Sequence, residues 1–212
     1  ILAMILVSMI IYKNIAINKN KSVNVQEVEQ IEEYISKIYM WKEITKEALP
    51  TFENINNANE LWVWEVIKKN LETYETTYEE IQQKGKELFG EKFERQIPKE
   101  GNDSFYYDKE SNKYLATEIV LDEEEDSFLL KDIEKEGEKY KVKIIEYIED
   151  YSEENKVIIR NLKEEEIGRV STTDSETKIK EIVKNNKERF SQKNIEIKKE
   201  KDNLVIEKVN KE

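Results

Sequence analysis

Seven apolar residues, Trp64, Ile67, Leu71, Tyr74, Tyr78, Ile81 and Leu88, follow one another at helical steps of three and four, interrupted only at Gly85. That spacing draws one apolar stripe along a helix. Between them lie mostly Lys, Glu, Gln, Asn and Thr, which suit a wet face. The stripe predicts one long helix within Asn57 to Phe93, with Asn57 and Asn59 as N-caps and Gly90 as a left-handed stop. Such a helix cannot bury its stripe alone, so the rest of the chain must supply a partner surface.

A first partner precedes it. Val28, Ile31, Tyr34, Ile35, Ile38, Trp41 and Ile44 give an apolar face to a helix from Val25 to about Leu49. Pro50 and the Asn-rich stretch end it. The short loop predicts that the two helices lie antiparallel as a hairpin.

Beyond Gly90 the pattern turns to strands, after a loop at Pro98, Gly101 and Asn102-Asp103. Expected strands are Tyr114 to Leu121, Phe128 to Ile133, Tyr140 to Ile148 and Lys156 to Leu162. A turn at Lys135-Glu136-Gly137 joins the second to the third. Tyr140, Val142 and Ile144 alternate, then Ile145 and Tyr147 continue one step out of phase, which predicts a bulge near Ile144. A cap-rich loop (Ser171 to Glu176) leads to a late helix at Thr177 to Phe190. The chain closes with a hairpin, Asn194 to Lys198 and Leu204 to Val209, turning at Asp202-Asn203. The fold class is α+β: an antiparallel helix pair packed on a curved antiparallel sheet, with the late helix before a C-terminal β-hairpin.

Ile1 to Tyr12 is uncharged and nearly all apolar, broken only by Ser8. A buried core helix would carry a polar face, and no small-x-small cleavage pattern follows, so the run reads as a retained signal anchor. Twelve residues fall short of the ~20 that cross a bilayer, so it reads as the C-terminal part of a longer hydrophobic segment. Lys13, Lys19 and Lys21 on its flank would place that side in the cytoplasm by the positive-inside rule. The commoner plan, with the bulk of the chain outside, is the reading adopted. The expected division is an anchor at 1–12, a polar linker at 13–24 and one soluble domain at 25–212, helical over 25–93 and sheet-rich over 105–212. The expected location is the cell membrane, single-pass, with the soluble domain extracytoplasmic.

Two absences limit the chemistry. With no Cys, thiol catalysis and disulfide scaffolds are excluded, and with no His, so are Ser-His-Asp arrangements and imidazole metal sites. The net charge of -12 argues against a nucleic-acid partner, because phosphate binding needs a basic patch. Five scattered glycines make no phosphate loop.

Helices first and a curved antiparallel sheet after, behind a membrane anchor, resemble the cone-shaped nuclear-transport-factor-like and cystatin-like domains of single-pass Gram-positive envelope proteins. The resemblance covers residues 25–212 and lies in element order, without a diagnostic motif. The late helix departs from it. It implies a shape with a possible pocket, and fold alone does not give function.

The aromatics Trp62, Trp64, Tyr74, Tyr78, Phe105, Tyr106 and Tyr107 are the most distinctive group. Trp64, Tyr74 and Tyr78 belong to the core stripe. Trp62 lies off it and reads as an exposed contact; with Phe105, Tyr106 and Tyr107 it forms the candidate ligand- or partner-binding set. The acidic run Asp122 to Asp126 lacks the spacing and glycine of a calcium loop and reads as a solvated turn, so no metal or cofactor is expected. The function expected is non-catalytic binding of an envelope protein or a small apolar ligand. The alternatives are a carboxylate-dependent hydrolase acting on cell-wall glycans and a structural assembly subunit.

Overall fold

The computed structural model describes residues 23–118, 124–173 and 176–212. The expected anchor at 1–12 and nearly all of the linker lie outside these residues. Among the described residues no helix is long and apolar enough to cross a membrane. The protein is α+β, with antiparallel strand pairing throughout the described registers. It divides into two compact units, each drawn from separated stretches. Described residues of the first are 23–32, 124–173, 176–195 and 211–212; those of the second are 33–118 and 196–210.

The first unit is built on a hairpin of β4 (Glu124–Glu136) and β5 (Lys139–Asp150), turning at Gly137. β6 (Lys156–Arg160) pairs with the end of β5, and β7 (Glu166–Ser171) with β6. Helix α5 (Glu176–Asn185) covers one face through a core of Leu129, Ile145, Tyr147, Val157, Ile159, Val170, Ile179, Val183 and Phe190. This core explains the phase change in β5. Tyr140, Val142, Ile144 and Ile148 are buried on one face while Ile145 and Tyr147 are buried on the other, so the strand itself runs without a bulge. The register shift lies instead in the partner strand, between Leu130 and Asp132, level with Ile144.

Helix α1 (Val25–Ile38) begins in this unit with a reciprocal cap: Asn24 Oδ1 accepts from Glu27 N, and Glu27 Oε2 accepts from Asn24 N. Its other oxygen accepts from Lys135 Nζ and, at 2.9 Å, from the Tyr140 hydroxyl. Partial burial pushes this carboxyl up, but the bonds from Lys135, Asn24 and Tyr140 outweigh it and hold the carboxyl below its ordinary value.

α1 ends at Ile38, short of the expected Leu49. Ile38, Tyr39 and Met40 are consecutive and all buried, which one helical face cannot achieve. The chain leaves the helix, makes a single turn α2 (Lys42–Thr45), and folds back so that Met40 N donates to Ala48 O.

The long helix expected over Asn57 to Phe93 is two helices, α3 (Glu60–Lys69) and α4 (Tyr78–Phe89), with the two-residue strand β1 (Glu75–Thr76) between them. Asn59 caps α3 as expected, through Trp62 N. Thr77 and Glu80 form a capping box that starts α4 afresh. Tyr74, assigned to the stripe, is therefore in the break and exposed, and Tyr78 is half-buried. Nor do α1 and α3 make an antiparallel hairpin. Lys69 and Asn70, at the end of α3, donate to the carbonyls of Ser36, Lys37 and Tyr39 at the end of α1. The two C-termini meet, and side chains of one satisfy the open carbonyls of the other.

The remaining strands of the second unit are β2 (Phe105–Asp108) and β3 (Lys113–Ala116), in the order β1-β3-β2, and the C-terminal hairpin. That hairpin is β8 (Ser191–Glu200), whose first residues belong to the first unit, and β9 (Asn203–Lys211). The core of the second unit is a chain of rings. Phe52 meets Trp62 at 5.7 Å, Trp62 meets Phe89 at 5.7 Å, Phe89 meets Phe93 at 5.5 Å and Phe93 meets Trp64 at 6.2 Å. Gly85, the gap in the stripe, is where the Phe93 ring lies: a Cβ there would stand 2.3 Å from Phe93 Cε1.

Candidate functional site

A cleft among the described residues lies wholly in the second unit and has a volume of about 300 Å³. Three separated segments line it. One wall is the hairpin, with Glu196, Lys198 and Glu200 from β8 and Val205 to Lys208 from β9. The other comes from Glu53 to Ile55 and from Phe89, Gly90 and Lys92 at the end of α4. Buried Ile55, Phe89, Val205 and Ile206 make an apolar floor, and carboxylates and ammonium groups ring it.

Local chemistry fixes each wall. Glu196, Lys198 and Glu200 alternate along β8 with buried Ile195 and Ile197, so strand periodicity alone gathers the three charges on one face. Ile206 N donates to the Tyr34 hydroxyl at 2.7 Å, whereas Val209 exchanges two bonds with Phe52. Both therefore direct backbone groups away from β8.

Tyr34 joins the two walls. Its buried hydroxyl accepts from Ile206 N and donates to Leu88 O at 2.8 Å, so the end of α4 and the middle of β9 share one oxygen. Burial pushes that hydroxyl far above the ordinary tyrosine range, so it stays a neutral donor. Gly90 ends α4 at φ +90, a conformation open to glycine, and a Cβ there would stand 3.1 Å from Glu200 Oε2. The Glu53 wall is held by Asn54, which caps the turn Ile55–Asn57, and by Arg95, which donates to the carbonyls of Ile55, Asn56 and Ala58. On the rim, Lys208 pairs with Glu53, and Lys198 with Glu200 at 3.2 Å.

The four residues singled out as a binding set fare differently, and none lines this cleft. Trp62, read as exposed, is fully buried and donates through Nε1 to Ala48 O at 3.2 Å. The reason is that α3 is buried on nearly every side, from Trp62 through Lys68, so a residue off the stripe is no more exposed than one on it. Phe105 is fully buried too. Tyr107 is half-buried, its ring 5.0 Å from Tyr114 and its hydroxyl donating to Asn112. Tyr106 alone faces solvent, at 61% exposure, beside Leu115 on the small sheet.

A second polar group is closed off in the same unit. Lys68 Nζ donates to Glu65 Oε1 at 2.8 Å and to Thr117 Oγ1 at 3.0 Å, and Thr117 Oγ1 donates to the carbonyls of Asp103 and Ser104. Glu65 Oε2 and Ser104 Oγ have no hydrogen-bond partner among the described residues. Ser104 is fully buried, so the arrangement ties α3 to the loop before β2 and offers no reacting group to solvent.

Among the described residues no three acidic, His or Cys side chains are grouped to hold a metal ion. Glu124 to Asp126, the described part of the acidic run, are the first residues of β4. The hairpin wall was missed because alternating Glu and Lys on a strand carry no mark that separates the wall of a cleft from a solvated face. The one signal for it was that Glu196, Lys198 and Glu200 share parity opposite an apolar pair. No protein-family model, no curated protein and no solved structure matches this chain.

Proposed function

We propose that the chain is a non-catalytic binding domain at the cell envelope, whose second unit takes a small ligand in the cleft between the C-terminal hairpin and the end of α4. The observation that carries this is the apolar floor of Ile55, Phe89, Val205 and Ile206 beneath a charged rim. Small-molecule sites combine an apolar lining with a few fixed polar groups, and a volume of about 300 Å³ is at the lower end of their range. The envelope location rests on the apolar run Ile1 to Tyr12.

Amide chemical-shift mapping of the full chain against a small-molecule fragment set tests the binding reading. Shifts gathered on Phe89, Gly90, Val205 and Lys208 are expected. Shifts gathered on Tyr106 and Tyr107 would move the site to the small sheet, and none at all would end the reading. The location is tested apart from this, by external protease on intact cells. Digestion without lysis is expected, and digestion only after lysis would place the domain in the cytoplasm.

A further inference from the structure

We propose that the occupant of this cleft is an apolar zwitterion of the size of an α-amino acid or a dipeptide. This rests on the cleft being a ligand site, and it follows from how the rim charges are spent. Lys208 is taken by Glu53, and Lys198 by Glu200. Glu207 has interactions of its own. Two lining charges remain without an ion pair among the described residues, Glu196 on the β8 wall, which feels Lys208 only at a distance while that lysine pairs with Glu53, and Lys92 just past α4. They are of opposite sign and stand on different walls.

A ligand carrying an ammonium and a carboxylate answers both, each through a charge-assisted hydrogen bond. Its apolar side chain then rests on Phe89, Val205 and Ile206. A ligand of one charge answers only one wall and brings its charge up to the like charge of the other. The volume sets the scale: at about 300 Å³ it holds a small molecule and not a length of polymer.

The test is a chemical-shift titration of the full chain, read at the amides of Gly90, Val205 and Lys208. The probes are L-leucine, L-leucyl-L-leucine, N-acetyl-L-leucine and L-leucine methyl ester. One or both zwitterions are expected to bind, with each leucine derivative that lacks a charge about tenfold or more weaker than leucine, as loss of a charged hydrogen bond implies. In Glu196→Gln the gap between leucine and its N-acetyl form should close; in Lys92→Met the gap to the methyl ester should close. Equal binding of leucine and either blocked form by the unaltered protein overturns the proposal. So does a cleft that ignores both zwitterions and responds to isoamylamine or isovalerate, although it would remain a ligand site. If no probe moves these amides, the zwitterion and the ligand site fall together.

Discussion

In the first unit α5 meets its sheet through aliphatic side chains, with Tyr147 and Phe190 the only rings among the described residues of a core of Leu, Ile and Val. In the second, five aromatic rings touch in series from Phe52 to Trp64. Each unit also buries a lysine–glutamate pair, differently placed. Glu146 and Lys193, 3.2 Å apart, join β5 to β8, while Glu65 and Lys68 are one turn apart on α3. Each uses a tyrosine hydroxyl as a clamp, Tyr140 on the Glu27 carboxylate and Tyr34 on two backbone groups. The two clamps differ in charge: Tyr140 bonds a carboxylate that also pairs with Lys135, whereas Tyr34 bonds only backbone groups. At the cleft the Tyr34 clamp ties the end of α4 to β9 without adding a charge, while the Arg95 guanidinium holds the Glu53 wall.

The largest effect should come from the inter-strand pair. Lys193→Met removes the ammonium beside buried Glu146 and is expected to cost ~3–5 kcal/mol in urea unfolding. Adding Glu146→Leu should recover most of it. A single-variant loss below ~1 kcal/mol would mean that charge does not hold β8 to β5.

Next come the two tyrosines. Tyr34→Phe leaves Ile206 N and Leu88 O buried without their shared partner, for about 1–3 kcal/mol. Tyr140→Phe leaves Glu27 with Lys135 and the Asn24 amide, so its loss at neutral pH should be the smaller of the two. Equal losses would erase the distinction between the clamps.

Thr77→Ala removes the capping box of α4 and should cost ~1 kcal/mol, read from the same unfolding midpoints. No change would show that burial of Ile81 and Leu88 alone fixes where the helix starts.

The smallest effect is a pH dependence confined to the first unit. Glu27 has a lowered carboxyl value in the folded chain, so its contribution is present above the ordinary 4.5 and fades as pH falls through the folded value. Stability measured from pH 7 downward should fall more steeply below 4.5 in the native chain than in Glu27→Gln. Parallel curves would remove Glu27 from the acid response.

The order of elements was readable because periodicity is local: the β4–β5 turn, the late helix and the closing hairpin all lie where alternation and turn residues put them. Two elements escaped for opposite reasons. The stripe from Trp64 to Leu88 is continuous in phase, and phase survives a break, so only the Thr77-x-x-Glu80 cap could have shown that α4 begins anew. β7 escaped because Glu166 to Ser171 buries one residue, Val170, and offers no alternation to read. The cleft was less legible still. Its walls come from residues 53–55, 89–92 and 196–208, and no local pattern brings such distant segments together. Trp62 misled because a helix buried all round has no wet side for an off-stripe residue to face.

β9 pairs with β8 on one side only, and an uncovered strand edge is a template on which further chains can pair. Here the Tyr34 hydroxyl takes the amide of Ile206 and Phe52 takes both groups of Val209. Lys208, between them, adds a charge. The contacts that shape the cleft thus also guard the chain against self-association, and loosening either would expose a ribbon of hydrogen-bonding groups on which aggregates can grow.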